Sequence, residues 1–413
     1  MIKKLVAFAF LVALCCAVGP AQENPHKSRV LIVSMPAAGL PASAGAEDGS
    51  DQNPFRTIQA AVDAASPGDT VRVKKGIYHN AGFGTSDASG PAVLITKGGS
   101  AEGGVLTLLG EPGAAIEYDG NGGILGGQNV SYVTIKNFVV KGPAAGISES
   151  LAMQHRLDNP ALPKYKGEGI SFPGPSHHIE ISNNEVTDAC GSGIRVNRGD
   201  YITIQGNSVS NSTGCTSAAS SALVIAEATN VDDSEVVKIT IQDNRVFNNR
   251  NRLPFYAPNG LPPGAHPPFE SYGKAESTYI IDGSGIYLTR NLQSYSHGRF
   301  LIANNSAYRN GINGMVVHYT DRVILRNNTI ANNGTVPLSE GRQKNSGLVI
   351  NHSQDVEIVN NRVQVNVAGD WAIRFFGEVT GIKANENQFA GGPSDLKVGA
   401  KKVSGISLPT ELR

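Results

Sequence analysis

The sequence predicts an all-β solenoid, a right-handed parallel β-helix, from three observations. A pattern of two apolar residues and an asparagine, Ile-x-Ile-x-x-Asn in its commonest form, recurs six times, beginning at Ile179, Ile202, Ile239, Phe300, Val323 and Val356. Two pairs of neighbouring copies are 23 residues apart, which is too short for a strand–helix unit and fits one three-strand coil. The composition of 48 glycines, one tryptophan and 40% hydrophobic residues is typical of a turn-rich β-protein.

The asparagine that closes each copy is predicted to lie inside the solenoid. Successive rungs of a parallel sheet are about 4.8 Å apart, so amides at one register position can bond to each other from coil to coil. The sequence therefore predicts a structural ladder of Asn184, Asn207, Asn244, Asn305, Asn328 and Asn361.

A second short strand precedes most copies of the pattern. These strands open with glycine or alanine, at Gly193, Ala222, Gly285, Gly314 and Gly347. Strand alternation then places one residue in the core and the next outside it.

The start of the chain reads as a secretory signal. Lys3 and Lys4 precede an apolar run that is too short for a stable membrane span, and small residues precede a predicted cut after Ala21. Removing residues 1–21 leaves 33 basic and 35 acidic residues, so the net charge does not indicate what kind of partner the protein binds. We expect a secreted or periplasmic protein without a membrane anchor, divided into the signal peptide (1–21), a flexible segment (22–50), the β-helix (51–400) and a tail (401–413).

The open N-terminal end of a solenoid needs a cap. Thr57 followed by an apolar-periodic stretch from Ile58 to Ala65 predicts an N-capped helix. Pro67 to Asp69 then predicts a turn into a strand from Thr70 to Val73.

Two cysteines remain after the signal peptide, Cys190 and Cys215. The repeat register puts both in the same turn of successive coils. Export permits a disulfide, and the sequence leaves open whether the two are bridged or are buried thiols.

Irregular spacing predicts where the coils carry insertions, which collect on the binding face of solenoids. The ladder spacing widens to 37 residues after Asn207 and to 61 after Asn244. The inserted turns are 227–237 and 248–281, with an earlier one at 144–168. We expect the turns 144–168 and 248–281 to wall a groove in which a long substrate lies across the rungs.

Outward positions beside this groove form a polar, mostly cationic strip. One set directly precedes the aliphatic pair in successive coils: Tyr132, His178, Tyr201, Lys238, Arg299, Arg322 and Asp355. A second set lies on the preceding strand or its turn: Arg195, Asn197, Arg198, Tyr287 and His318. The strip is either a solvated face or a site for an acidic polysaccharide.

β-Elimination on a uronate polymer needs a neutralised C5 carboxylate, a base for the C5 proton and an acid for the O4 oxygen. Lys238 is predicted to be a base whose pKa is lowered by the like charge of stacked Arg299, and Tyr201 the donor to O4, with the two roles exchangeable. The predicted carboxylate-binding residues are Arg195, Asn197, Arg198, His178 and His318, and Arg299 and Tyr287 are further substrate-binding candidates.

Two resemblances support this hypothesis. Asp48-Gly49, Asn53-Pro54-Phe55 and Ile58-Gln59-Ala60 resemble the opening of the pectate-lyase-like β-helix superfamily. The segments 199–207, 238–241 and 281–286 are similar to those of β-helical alginate lyases, which implies that Tyr201 and Lys238 are catalytic. The chain departs from many of these relatives where it reads Ile-Asp-Gly-Ser-Gly at 281–285 in place of Thr-Asp-Gly-Asn-Gly.

Two other classes stay open. A glycoside hydrolase would use paired carboxylates, for which Glu227, Asp232, Asp233 and Asp282 are available, and a non-catalytic β-helix would bind glycans without product. No Cys/His metal spacing, phosphate loop or nucleic-acid motif is found, so the sequence predicts no cofactor. We expect a monomer whose partner is an acidic polysaccharide.

Overall fold

A computed structural model describes residues 27–35, 46–85, 88–158, 162–257, 275–276, 280–336, 345–365, 370–390, 396–398 and 402–404. It confirms the parallel β-helix. The predicted signal peptide lies outside the described residues. Within the described part of the chain, no helix is long and apolar enough to cross a membrane.

Each coil contributes three strands, which stack on the equivalent strands of neighbouring coils into three parallel rows, here named a, b and c. The a row contains Val93–Ile95, Gly122–Gly126, Glu168–Phe172, Ile194–Asn197, Leu223–Ala226, Ile286–Thr289, Asn313–His318 and Leu396–Val398. Two long strands, Ser346–Val359 and Trp371–Asn385, begin in the a row and continue into the b row.

The b row follows the a row along each coil and the c row follows the b row. The b row contains Val30–Val33, Thr70–Val73, Leu106–Gly110, Ser131–Lys136, Ser176–Ser182, Gly199–Gln205, Val237–Gln242, Arg299–Ala303, Val323–Arg326 and Lys402–Ser404. The c row contains Gly76–His79, Ala114–Glu117, Val139–Lys141, Glu185–Thr187, Ser208–Ser210, Arg245–Phe247, Ser306–Tyr308, Thr329–Ala331, Arg362–Gln364 and Gln388–Ala390. A separate antiparallel pair joins Tyr256–Ala257 to Ala275–Glu276.

The β-helix extends beyond both predicted boundaries. Val30–Val33, within the segment predicted to be flexible, pairs in parallel with Thr70–Val73 and buries Leu31, Ile32 and Val33. Lys402–Ser404, within the predicted tail, pairs with the b-row part of Trp371–Asn385. The strand Val30–Val33 is wholly apolar and pairs at the edge of the row although it lacks the asparagine pattern.

The predicted N-terminal cap is present. Helix α1, Ile58–Ala64, begins after Thr57, whose side chain accepts a hydrogen bond from the backbone N–H of Ala60. It buries Ile58, Ala61 and Val62 against the first coils. Three further short helices lie in the 144–168 insertion: the 3₁₀ helix Ala144–Gly146, α2 at Glu149–Gln154 and α3 at Pro163–Lys166.

The predicted asparagine ladder runs through the turn between the b and c rows. All six asparagines are buried, and each Nδ2 donates to the Oδ1 of the next at 2.9–3.1 Å, with Asn387 extending the series at its C-terminal end. Each amide also bonds backbone, as Asn244 Nδ2 does to the Ile204 carbonyl at 2.9 Å. The side chains thereby satisfy buried polar groups that the sharp turn leaves unpaired.

A second ladder, which the sequence analysis missed, lies in the turn between the c and a rows. Asn249, Asn310 and Asn333 are buried and bond to each other at 3.0 Å. Each stands five residues after a member of the first ladder, and this fixed offset is the signal that identifies it in the sequence.

The structure contains a disulfide between Cys190 and Cys215, whose Cα atoms are 4.9 Å apart. It lies in a small hydrophobic cluster, separate from the main core, that includes Ile147 and Tyr165 of one insertion and Leu253 of another. The disulfide therefore links two successive coils and also stabilises the contact between the two insertions.

Replacing Asn244 by alanine is expected to lower the free energy of unfolding by about 3 kcal/mol, because several buried donors and acceptors lose their partner. Urea denaturation followed by circular dichroism measures the change. Thr240→Ala, at a half-exposed position of the same strand, is the control and should change stability by less than about 0.5 kcal/mol. Equal losses for the two variants would contradict the assigned role of the ladder.

Replacing Cys190 and Cys215 together by serine is expected to lower the free energy of unfolding by about 3 kcal/mol, since the bridge closes a loop over a sequence separation of 25. Thermal denaturation of the oxidised protein and the variant measures it. An unchanged melting temperature would show that the bridge adds nothing to the packing around it.

Candidate functional site

Three aromatic side chains from consecutive coils form a partly exposed stack where the a row turns into the b row. His178 stacks on Tyr132 with ring centroids 4.4 Å apart and on Tyr201 with centroids 4.6 Å apart. All three residues have φ between 52° and 54°, a left-handed conformation that points their side chains outward and is uncommon for such large residues. The sequence predicted this part of the strip correctly.

Lys238 does not continue the outward strip. The pairing register between its strand and Arg299–Ala303 shifts between Val237 and Ile239, so Lys238 is the extra residue of a bulge and turns inward. Its side chain is completely buried. The prediction that Lys238 faces the solvent beside Tyr201 was wrong because a bulge reverses the alternation that the prediction assumed.

The ammonium group of Lys238 lies under the 227–237 turn. Its Nζ is 3.2 Å from Asp200 Oδ2, 2.8 Å from Asp232 Oδ1 and 2.7 Å from the Asp232 carbonyl oxygen. Burial alone would lower the pKa of Lys238, but the hydrogen bonds and negative charges of Asp232 and Asp200 outweigh it and raise the pKa. Lys238 is therefore a fixed cation here.

Arg299 also differs from its predicted role. Its register partner in the neighbouring coil is Val237, and its guanidinium forms ion pairs with Asp355 at 2.7 Å and Glu357 at 3.6 Å. The positive charge of Arg299 is therefore paired with Asp355 and Glu357. The predicted lowering of the Lys238 pKa by Arg299 is not found.

Asp200 is the buried acceptor on which the hydrogen bonds of the site converge. Its fully buried carboxylate accepts hydrogen bonds from the backbone N–H groups of Tyr201 and Val231 and from the Tyr295 hydroxyl, at 2.8–3.0 Å, besides the contact with Lys238. Four donors from three parts of the chain converge on one carboxylate. Asp200 thereby fixes the 227–237 turn over the b row.

Tyr201 and Asp232 form the exposed part of this network. The Tyr201 hydroxyl donates to Asp232 Oδ2 at 2.7 Å, and the Asp232 side chain is 48% exposed. The hydrogen bond from Lys238 holds the pKa of Asp232 well below its usual range, and the hydrogen bond to Asp232 raises the pKa of Tyr201. At neutral pH the pair is a protonated phenol beside an ionised carboxylate.

Two adjacent histidines complete this edge. The Nδ1 atoms of His177 and His178 are 2.8 Å apart, so one ring donates to the other. Burial lowers the pKa of both imidazoles below the ordinary 6.5, and their mutual proximity lowers that of His177 further. His177 was not among the site candidates predicted from the sequence, and its contact with His178 adds it to the site.

The other predicted substrate-binding residues lie on or beside the a row. Arg195 and Asn197 contact each other at 3.0 Å, and Arg195 is also 3.6 Å from Glu168. His318 bonds Thr289 at 2.9 Å, and its ring is 5.9 Å from that of Tyr287.

Arg198, in the turn, donates from Nε and Nη2 to the carbonyls of Pro173 and Gly174. Most arginines of the predicted strip are therefore already engaged by the protein.

The two large insertions contact each other in the part of the chain that the structure describes. Arg156 donates to the carbonyls of Pro254 and Phe255, and Arg252 donates to that of Ile147, so the insertions contact each other. Val224, Val316 and Val349 point outward by register in the a row but are only 2–7% exposed. The expected groove therefore does not lie over these a-row positions, which are buried.

An open cleft lies at the turn from the c row to the a row, between the beginnings of the two insertions. It has a volume of about 500 Å³ and is lined by Ala144, Ala145, Ile147, Ser148, Asp188, Asn211, Asn248, Arg250 and Arg309, among others. Asp188, Asn211, Asn248 and Arg309 have φ between 53° and 57° and stand four residues after a ladder asparagine. This offset was the available signal for the cleft in the sequence.

Removing the charge of Lys238 is expected to destabilise the protein by about 3 kcal/mol in Lys238→Met, because the buried Asp200 carboxylate loses its counter-ion. A double-mutant cycle with Asp200→Asn measures the coupling. The double variant should be less destabilised than the sum of the single variants, and strict additivity would contradict the buried ion pair.

Comparison with known proteins agrees with the architecture. A family model described as a right-handed β-helix region matches residues 115–389, which is more than half of the chain. No curated protein matches the sequence significantly.

Solved structures resemble the chain distantly. The A-module of a mannuronan C-5 epimerase from Azotobacter vinelandii is 13% identical, with 85% of this chain and 92% of that chain covered and a TM-score of 0.44. An alginate lyase from Paenibacillus sp. str. FPU-7 is 13% identical, with 91% and 99% covered and a TM-score of 0.45. Similarities at this level say nothing about the substrate of this chain.

Proposed function

This chain belongs to the right-handed β-helix family, and we propose that it is an exported polysaccharide lyase that cleaves a uronate polymer, alginate first, by β-elimination. The observation that carries the proposal is the stacking of a neutral imidazole, His178, on a protonated phenol, Tyr201, at an exposed edge. A proton acceptor and a proton donor therefore stand on neighbouring rungs, about one rung spacing apart.

His178 takes the role first predicted for Lys238. Its pKa lies below 6.5, so the ring is unprotonated at neutral pH. In the tautomer that donates from its Nδ1 to His177 Nδ1, the Nε2 lone pair of His178 is free to accept the C5 proton. His177 fixes that tautomer and is a positioning residue.

Tyr201 acts as the acid. Its raised pKa keeps the phenol protonated until the leaving oxygen develops negative charge. The hydroxyl proton, donated to Asp232 at 2.7 Å in this structure, turns to O4 when substrate binds. The Lys238 ammonium, 5.2 Å from the centroid of the Tyr201 ring, offsets the charge of the phenolate that forms. Lys238 and Asp232 are positioning residues in this scheme.

The proposed step balances without an oxidant or a co-reactant. His178 Nε2 removes the C5 proton, the C5–H electron pair becomes the C4–C5 double bond, and the C4–O4 bond breaks as O4 takes the Tyr201 proton. The imidazolium then loses its proton and the phenolate regains one through solvent. Arg198, whose Nη1 is not used in its bonds to Pro173 and Gly174, is the proposed partner of the C5 carboxylate.

Hydrolysis by paired carboxylates fits the site less well. A general acid needs a carboxyl whose pKa is raised, whereas the Asp232 carboxyl is held strongly ionised. Glu227 is bound to Arg290 at 2.7 Å, and the Asp233 side chain is 92% exposed. Nothing in the described residues near Tyr201 therefore supplies the acid partner.

The test is ultraviolet absorbance of the unsaturated uronate during incubation with alginate, pectate and a glucuronan. Tyr201→Phe and His178→Gln are each expected to lower kcat by about 10²- to 10⁴-fold, the usual contribution of an acid or base. Tyr319→Phe is the matched control, because Tyr319 stacks on His352 at 4.4 Å in the same turn of later coils, and it should keep full activity.

The outcomes separate the three classes of function. If reducing ends form without a rise in absorbance, the protein is a hydrolase and not a lyase. If the polymer binds without any product and Tyr201→Phe changes only the affinity, the protein is a glycan-binding surface.

The pH profile distinguishes His178 from Lys238 as base. If His178 is the base, kcat falls as the pH drops through its depressed pKa, so the acid limb lies below pH 6.5. If Lys238 were the base, its raised pKa would place the rise above pH 10.5. Initial rates from pH 4 to pH 11, with circular dichroism to confirm folding at each pH, decide between them.

A further inference from the structure

The cleft at the turn from the c row to the a row is separate from the Tyr201 edge. One lies before the a-row strands and the other lies after them along each coil, so they flank the a row at its two ends. None of the residues assigned to proton transfer lines the cleft.

Arg250 and Arg309 distinguish this cleft from the rest of the cationic surface. Both line it and both are exposed. Neither guanidinium has a hydrogen bond or an ion pair among the residues that the structure describes, whereas Arg195, Arg198, Arg290, Arg299 and Arg322 are each engaged by carboxylates or carbonyls. Two unneutralised guanidinium groups facing one cavity favour an anionic ligand.

The three rungs before Arg309 carry different side chains at the same position of the turn. Asp188, Asn211 and Asn248 follow each other on successive rungs, and Asp188 is half-buried and bonded to Thr187 at 3.1 Å. A carboxylate and two amides suit hydroxyl groups better than a second anion. A ligand that matches the cleft carries negative charge beside the arginines and hydroxyls along the preceding rungs, as an acidic sugar does.

The roof of the cleft is fixed before any ligand arrives. Arg252 donates to the Gly214 carbonyl at 2.7 Å and to the Ile147 carbonyl at 3.3 Å, and Cys215 next to Gly214 is bridged to Cys190. A preformed cavity avoids the cost of ordering loops on binding.

We propose that this cleft is a second glycan-binding site, which holds a uronate residue of an acidic polysaccharide away from the cutting edge. Arg250 and Arg309 receive the carboxylate, and Asp188, Asn211 and Asn248 receive the sugar hydroxyls. The identity of the ligand as a uronate rests on the proposed function, while the existence of an acidic-sugar site rests on the cleft alone. Such a site retains a long chain between successive cleavages.

The test is calorimetric titration of a mannuronate hexasaccharide into the Tyr201→Phe protein, which removes the proposed acid so that the ligand is not cleaved. Arg250→Ala/Arg309→Ala is expected to weaken binding at least tenfold. Arg326→Ala/Arg362→Ala removes the same charge from exposed positions outside the cleft and should leave affinity within twofold. The hexasaccharide with its carboxylates reduced to alcohols should bind the Tyr201→Phe protein at least tenfold more weakly than the acidic form.

Each result decides a separate claim. Equal weakening by the two arginine pairs, or no weakening by the cleft pair, overturns the site even if the enzyme cleaves alginate. Loss of affinity in the cleft pair alone upholds the site even if no uronate polymer is cleaved, in which case only the proposed lyase function fails. Absence of hexasaccharide binding by the Tyr201→Phe protein overturns the assignment of the ligand as a uronate.

Discussion

The chain of buried asparagine amides in the turn between the b and c rows is the constraint on which the structure depends. Each amide both donates to and accepts from its neighbours, so a shift of one residue in any coil would leave several buried polar groups without partners. The hydrophobic core alone does not impose this, because aliphatic residues in a stack tolerate repacking. The amides fix the register, and register fixes which side chains become neighbours at every other corner.

The site at the Tyr201 edge is a consequence of that register and of one local exception to it. Register stacks His178 on Tyr201. The bulge at Lys238 sends the next side chain inward, where its charge is matched by Asp200 and Asp232. Because Lys238 holds Asp232 ionised and Asp232 holds the Tyr201 hydroxyl, a buried cation acts on an exposed phenol through one carboxylate. A regular strand at this position would have separated these three groups.

Charge is distributed unevenly over the two edges. Around Tyr201, Lys238 is paired with carboxylates and Arg198 is held by backbone carbonyls, which gives a rigid edge suited to proton transfer. At the cleft, Arg250 and Arg309 keep their charge available while Arg252 and the disulfide hold the walls. The near-zero net charge of the chain therefore conceals a local anion-binding surface, since net charge averages over groups that are paired and groups that are not.

The sequence by itself determined the β-helix, the cap at Thr57, the ladder and the outward stack of Tyr132, His178 and Tyr201, because each follows from a period that short stretches of chain repeat. The sequence also contains the pattern of the second ladder, the asparagines that stand five residues after members of the first. The tertiary structure alone decided the burial of Lys238, the pairing of Arg299 with Asp355 and the closure of one insertion on another. These three features depend on a bulge and on contacts between residues far apart in the chain. A local sequence pattern does not determine which of several available partners a charged side chain or an insertion will contact.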